Sequence, residues 1–97
     1  MTKSDIVNLV SNATGLTKVE TETVLDGFIK SIISSLEKGE RVEIRGFGSF
    51  VVKKRNAREA RNPSTNEVVQ LEDRYIPSFK VSKILKNKVD ESMKDLE

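Results

Sequence analysis

Apolar residues recur at helical spacing near the beginning of the chain. Thr2 or Ser4 can cap a helix there, because a hydroxyl accepts a hydrogen bond from a free backbone N–H of the first turn. Gly15 can end it, since glycine tolerates the left-handed backbone that follows many helices. The apolar positions, which follow i, i+3, i+4, i+7 spacing, are Ile6, Leu9, Val10 and Ala13. The pattern predicts a first amphipathic helix.

A second helix is predicted by stronger signals. Thr17 and Glu20 have the spacing of a capping box, and Lys38 and Gly39 are typical of a helix end. The apolar stripe between them is wide and rich in isoleucine. One partner helix and a small sheet would hardly cover it, so we expect a second copy of the chain to do so. The residues expected in this dimer core are Val24, Leu25, Phe28, Ile29 and Ile32, with Phe47, Phe50 and Phe79 from the segments that follow.

The apolar pattern changes to a period of two after residue 40. Val42 and Ile44 alternate with charged residues, which predicts a strand. Residues 46–50, Gly-Phe-Gly-Ser-Phe, are expected to form a turn before the next strand, and residues 75–79 another strand, with its proline at an edge or an end. Ser82 is a good cap for a final helix. The chain is therefore predicted to be α+β, with a three-stranded antiparallel sheet and a C-terminal helix.

Residues 53–75, which we call the arm, differ from everything before them. Their middle, residues 62–66, reads Asn-Pro-Ser-Thr-Asn and is a dense turn signal, while the flanks hold too few apolar residues to bury a face. We expect a long two-stranded β-ribbon that protrudes and is mobile without a partner. The alternative is a disordered loop, but structureless loops of about 20 residues are uncommon in a compact domain.

Composition restricts the chemistry. The chain has 97 residues, enough for one domain, with neither cysteine nor histidine. Zinc sites of the His/Cys kind and catalysis by a Ser-His or Cys-His pair are therefore excluded. Carboxylates and lysines form no recognisable catalytic motif, so we expect no enzyme activity, metal, cofactor or small-molecule ligand. Because no apolar run approaches the length of a membrane span, we also expect a cytoplasmic protein without membrane contact.

Charge is unevenly distributed, although the net charge is only +2. Residues 1–40 hold 4 Lys and Arg against 6 Asp and Glu, a net charge of −2. Residues 41–88 hold 12 against 5, a net charge of +7, and residues 89–97 hold 1 against 4, a net charge of −3. A basic block between acidic ends suggests a surface that faces a polyanion, but a solvated face would look the same on charge alone.

Three motifs, in this order, resemble those of the bacterial histone-like HU and integration host factor family. The first is the glycine-phenylalanine sequence of residues 46–50, and the second is residues 61–63, Arg-Asn-Pro, followed by Thr65. The third is residues 76–80, Ile-Pro-Ser-Phe-Lys, which lead into Lys83 and residues 85–86, Leu-Lys. The likeness covers essentially the whole chain, and three motifs together leave little room for coincidence.

Two positions depart from the family pattern. Ala60 stands where the family usually has glycine before Arg-Asn-Pro, and Asn66 stands where glycine commonly follows the threonine. Asparagine accepts left-handed backbone better than most residues, so we expect the turn to survive. Because alanine has less backbone freedom than glycine, we expect Ala60 to affect the flexibility of the arm. The acidic C-terminal extension is also longer than a minimal family member needs.

The resemblance implies a single domain over residues 1–97 that forms an intertwined homodimer, or a heterodimer with a paralogous subunit. Its parts would be a helical dimerisation base (1–39), saddle strands (40–52 and 74–80), the DNA-binding arm (53–75) and the C-terminal helix (81–97). It also implies a nucleoid-associated architectural protein that binds the minor groove of double-stranded DNA and bends or compacts it with low sequence specificity. In this family an apolar wedge enters between base pairs.

The residues that could contact DNA follow from this resemblance and from their own chemistry. Pro63 is rigid and apolar, so it would be the intercalating wedge, although an ordinary turn proline is the alternative. Gly46 and Gly48 would bring backbone N–H groups near phosphates, or would only permit the turn. The expected DNA-binding residues are Lys3, Gly46, Gly48, Ser49, Lys53, Lys54, Arg55, Arg58, Arg61, Asn62, Pro63, Arg74, Lys80, Lys83 and Lys86.

Two other functions stay open at this point. One is sequence-preferring bending of the integration host factor kind, in which DNA deformability and arm contacts select a site. The other is a dimeric protein-interaction scaffold with a basic loop and no nucleic-acid role. The sequence alone does not separate low-specificity from sequence-preferring bending.

Overall fold

A computed structural model describes the backbone of residues 1–97 and every side chain except that of Leu71. The chain divides into two compact units, Met1–Ser35 and Leu36–Glu97. In chain order the elements are α1 (Lys3–Thr14), α2 (Lys18–Glu37), β1 (Val42–Ile44), β2 (Gly48–Arg55), β3 (Arg58–Arg61), β4 (Val68–Leu71), β5 (Arg74–Val81) and α3 (Lys83–Leu96). The predicted α+β class is confirmed.

Both N-terminal helices begin at capping boxes. The Thr2 hydroxyl accepts a hydrogen bond from the Asp5 N–H, and the Asp5 carboxylate accepts one from the Thr2 N–H at 2.8 Å. Thr17 and Glu20 do the same for α2, at 3.1 and 3.2 Å. These bonds satisfy N–H groups that have no partner within a helix, so the two helices start where the sequence predicts. Gly15, with φ 80°, ends α1.

The apolar stripe of α2 is not covered by the unit to which it belongs. Among the described residues Val7 is the only buried apolar side chain. Val24 is 65% exposed and Phe28 is 50% exposed. A cavity of about 260 Å³ opens on this unit, lined by Ile6, Val10, Leu16, Thr21, Val24, Leu25 and Phe28. The helices thus present an apolar groove that their own unit does not cover.

The sheet has the strand order β1-β2-β5, and both pairings are antiparallel. The predicted turn at residues 46–50 is wrong in extent, because β2 already begins at Gly48. Ser49 and Phe50 are strand residues that pair with Lys80 and Phe79. Gly46 adopts φ 82°, which reverses the chain within residues 45–47, so pairing resumes at once. Pro77 lies within β5, which is an edge strand, as predicted.

The arm is a paired ribbon, but it is not one continuous ladder. Its first three residues still belong to the sheet, because β2 and β5 stay paired as far as Arg55 and Arg74. A second ladder then begins with β3 and β4, from Arg58 opposite Leu71 to Arg61 opposite Val68. Residues 56–57 and 72–73 separate the two ladders. The predicted boundary between sheet and arm at residue 52 is therefore three residues early, and the ribbon replaces the disordered-loop alternative.

The final helix is capped by Ser82, as predicted. The Ser82 hydroxyl accepts a hydrogen bond from the Leu85 N–H at 3.1 Å. The Ser82 N–H donates to the Phe47 carbonyl at 3.0 Å, which ties the start of α3 to the β1–β2 turn. The helix continues to Leu96 through the acidic end of the chain, and none of its residues is buried. Within the described part of the chain, no helix combines the length and the apolar character needed to cross a membrane.

Candidate nucleic-acid interface

Gly48 allows an aromatic ring to lie directly on β2. A Cβ atom at this position would come within 2.5 Å of both the Lys80 carbonyl oxygen and the Phe79 ring. The Phe79 ring centroid lies 5.0 Å from that of Phe47 and 4.9 Å from that of Phe50. The three rings form one tilted cluster, which is the geometry of packing aromatic groups. Gly48 therefore has a packing role, and the three phenylalanines form a shared apolar cluster, although Phe47 and Phe79 stay 45% and 41% exposed.

Ser49 is only 8% exposed, and its hydroxyl accepts a hydrogen bond from the Arg41 guanidinium at 3.1 Å. Arg41, Arg45 and Lys80 line a cleft of about 220 Å³ beside the Gly46 turn, together with Ser49 and one carboxylate, that of Glu43. Ser82 lines the same cleft, so the positive N-terminal end of the α3 dipole borders it. The cleft can attract an anion such as a phosphate, and Ser49 contributes by holding Arg41 in place.

Arg41 and Arg45 are the cations that sequence reasoning missed. Arg41 directly precedes β1 and Arg45 directly follows it. Both continue the period-two pattern of this strand, which directs polar side chains away from the core. That alternation is the available signal, but by itself it indicates only a strand, because single arginines on a solvated strand face are common.

Three cations of the outgoing strand and one of the returning strand lie at the base of the arm. Lys53, Lys54 and Arg55 of β2 are exposed, and Arg55 stands directly opposite Arg74 of β5. Like charges in opposed cross-strand positions repel each other, so this pair costs stability unless a polyanion lies against it. Lys54 differs from the others, because its Nζ atom lies 3.9 Å from the Asp73 carboxylate.

The tip of the arm is a tight, hydrogen-bonded turn. The Asn62 N–H donates to the Glu67 carbonyl at 2.9 Å, and the Asn66 N–H donates to the Asn62 carbonyl at 2.7 Å. The Asn62 side-chain oxygen accepts a bond from the Ser64 N–H at 3.0 Å, as in an Asx turn. Asn66 has φ 61°, the left-handed conformation expected of it. Pro63 is exposed at the head of this turn.

Arg61 lies immediately beside that turn. Its Nη1 atom donates to the Asn66 side-chain oxygen at 3.3 Å, so the guanidinium is held next to the tip. Arg58 stands three residues earlier on the same strand and is exposed. The tip therefore presents a rigid apolar ring with a guanidinium close by.

Lys83 and Lys86 occupy the first turn of α3, which contains no acidic residue. A cation there is unfavourable for the helix, because the N-terminal end of the helix dipole is positive. Helix stability does not explain these lysines, whereas an external anion would.

Lys3 lies in the other compact unit, at the start of α1. Its ammonium is 2.5 Å from the Asp26 carboxylate and 3.9 Å from that of Glu22. The hydrogen bond to Asp26 raises the pKa of Lys3 above its ordinary value, with a further contribution from the charges of Asp26 and Glu22. Of the predicted DNA-binding lysines, Lys3 is the one whose charge is already shared with two carboxylates.

Comparison with known proteins gives consistent matches. A family model described as bacterial DNA-binding protein matches residues 1–90. Integration host factor subunit beta of Glaesserella parasuis is 44% identical over 91 residues, which span 93% of this chain and 98% of that protein. DNA-binding protein HU of Staphylococcus aureus is 42% identical over 89 residues, which span 92% of this chain and 99% of that protein.

Solved structures agree with this result. The Anabaena HU–DNA cocrystal structure matches with a TM-score of 0.85 and 36% identity, over 92% of this chain and 97% of that one. HU from Thermotoga maritima matches with a TM-score of 0.67 and 31% identity, over 92% of this chain and 98% of that one. Because the family model spans nearly the whole chain and relatives of both kinds align over almost their full length, the chain belongs to the family of bacterial DNA-binding proteins that includes HU and integration host factor.

Proposed function

We propose that this protein is an architectural DNA-binding protein that works as a dimer and bends or compacts duplex DNA with low sequence specificity. The observation that carries this proposal is the arm, a paired ribbon with a rigid proline at its exposed tip, cations along its outgoing strand and Arg74 at the base of its returning strand. A wedge between base pairs must offset an unstacking cost of about a few kcal/mol per step. Cations near the wedge can offset that cost by binding phosphates. The place of action would be the nucleoid, in the cytoplasm.

The dimer is supported by surface that the chain does not bury. In the helical unit the apolar groove is open, and in the other unit the aromatic cluster is half-exposed. A second copy, or a paralogous subunit, would cover these surfaces.

Each part of the chain then has a role in binding. Residues 1–39 would form the dimerisation base, while the sheet strands, residues 42–55 and 74–81, would form a saddle on which the duplex rests. The cleft that holds Arg41 and Arg45 would take phosphates at the saddle. Lys83, Lys86 and, where its ion pair opens, Lys3 would meet the flanks of the bent duplex. Along the arm, lysines and arginines would follow phosphates to the tip, where Arg61 and Asn62 would occupy the minor groove.

Binding to labelled duplex at several salt concentrations tests this proposal. With six to ten phosphate contacts, affinity should fall by about 10³ to 10⁵ between 50 and 200 mM salt. Arg58→Gln should lower the salt dependence by about one unit per arm, because one phosphate contact is lost. Lys30→Gln is a matched control, since it removes one exposed cation from the helical unit outside the proposed interface. Failure to retain intact or nicked duplex near physiological salt would favour the protein-interaction scaffold.

A competition experiment separates the two kinds of DNA bending. A random duplex and a pool of sequences selected by the protein would compete for it at fixed salt. Low-specificity binding predicts that the apparent affinities for the random duplex and for the selected pool differ by no more than a few fold. Sequence-preferring bending, in which site deformability adds to affinity, predicts a large excess for the selected pool.

A further inference from the structure

The gap between the two ladders of the arm is closed by one side chain. Residues 56–57 on one strand and 72–73 on the other take no part in either ladder. Across this gap the Ala57 N–H donates a hydrogen bond to the Asp73 carboxylate. The second carboxylate oxygen of Asp73 lies 3.9 Å from the Lys54 ammonium, on the last stretch of the sheet. Asp73 thus links the two strands and also contacts the strand segment below the gap.

A break in a two-stranded ribbon is the place where the ribbon can bend or twist, because no ladder bonds hold the strands there. Among the four gap residues, the bond between Ala57 and Asp73 is the cross-strand hydrogen bond that the structure shows. The direction of β3 and β4 relative to the sheet therefore depends on a single side-chain contact. Loss of that contact would leave the gap free to change its angle.

Asp73 is also chemically out of place if the arm only attracts phosphates. It stands next to Arg74 and beside Lys54, two of the cations at the base of the arm. A carboxylate there repels phosphates and competes with them for Lys54. Both effects weaken DNA binding, so a contribution other than affinity must offset them. Positioning of the arm is such a contribution.

We propose that Asp73 is a positioning residue: by bonding the Ala57 N–H it sets the direction of the arm, and so the place where Pro63 meets the duplex. This inference rests on the proposed function for its effect on DNA. Its structural part concerns the free protein alone.

Three variants separate the hydrogen bond from the charge. Asp73→Asn keeps a side-chain oxygen that can accept from the Ala57 N–H and removes the charge. Asp73→Ala removes both. Glu72→Ala is the matched control, because it removes an exposed acid from the same gap and leaves the Asp73 contact in place.

The first measurement is amide hydrogen exchange of Ala57 in the free protein, by NMR. We expect Asp73→Ala to speed this exchange about tenfold or more, while Asp73→Asn and Glu72→Ala keep it close to that of the parent chain. Equal exchange in the Asp73→Ala variant and the parent would overturn the inference without any use of DNA.

The second measurement is the bend angle of a doubly labelled duplex, by single-molecule energy transfer. We expect Asp73→Ala to broaden the distribution of angles and lower its mean, and Asp73→Asn to restore both. Asp73→Asn should also bind about two- to fivefold more tightly, as removal of a partly paired surface charge suggests. A narrow, unchanged distribution for Asp73→Ala, or an equal change for Glu72→Ala, would refute the positioning role. If the parent chain itself neither binds nor bends DNA, the proposed function fails and the exchange result still decides the structural claim.

Discussion

Replacement of Gly48 by alanine should destabilise the protein through one steric conflict. The added Cβ atom would lie 2.5 Å from the Lys80 carbonyl oxygen and 2.5 Å from the Cζ atom of Phe79. A ring can turn aside, but a carbonyl of the paired strand β5 moves only with its backbone. Backbone conformation itself is no obstacle, because the backbone of Gly48 is not left-handed. The cost is therefore one of packing.

The magnitude follows from what overpacking usually costs. An extra methyl or methylene group in a well-packed site costs about 1 to 3 kcal/mol. Because a backbone atom must shift here, we expect the upper part of that range, about 2 to 3 kcal/mol per chain. At about 4 to 8 °C per kcal/mol for a domain of this size, the melting temperature should fall by about 8 to 24 °C.

The assay is thermal unfolding followed by circular dichroism at one fixed protein concentration, since the stability of a dimer depends on concentration. Gly27→Ala is the matched control. Gly27 lies within α2, and a Cβ atom there would meet nothing within 4 Å, so alanine should raise stability by about 0.5 to 1 kcal/mol. The two Gly-to-Ala changes should thus have opposite signs. A Gly48→Ala protein that melts within about 2 °C of the parent would refute the close packing of Phe79 on β2.

Three further predictions concern the tip, the dimer and the second helix. Pro63→Ala should lower the DNA bend angle more than the overall affinity, because phosphate contacts survive the loss of the wedge; energy transfer on a labelled duplex measures the angle, and an unchanged angle would count against intercalation. Phe28→Asp should disrupt both the dimer and the fold, because a charge would enter the apolar groove. Sedimentation measures the dimer and circular dichroism measures the fold, and a well-folded monomer would contradict this prediction. Hydrogen bonds from the Thr17 side chain and backbone hold the pKa of Glu20 below its ordinary value, so the stability from this capping box should be present above pH 4.5 and be lost as the pH falls through the lowered pKa. An NMR titration of the Glu20 carboxyl measures that pKa, and Glu20→Gln should remove this part of the acid sensitivity.

Helix starts, helix ends and the tip of the arm could be predicted from the sequence because their determinants are local. The capping pairs Thr2–Asp5 and Thr17–Glu20 span three residues, and each forms as soon as the helix does. The turn at residues 62–66 depends on asparagine and proline, whose backbone preferences act within the turn itself. The apolar stripe of α2 was equally visible, and it predicted a surface that one chain would leave uncovered.

Other features were decided only by the tertiary structure. Each of them depends on contacts between residues that are distant along the chain. Arg41 bonds to Ser49, eight residues further along the chain, so the pairing of β1 with β2 positions this exposed guanidinium. Gly48 has a packing role because the pairing of β2 with β5 places Phe79 and Lys80 directly next to it. Asp73 meets Ala57 across a gap in the ribbon that no residue pattern marks. The physical reason is the same in each case: backbone preference and capping act over a few residues, whereas strand register sets which side chains face each other, and register emerges only when the whole sheet is assembled.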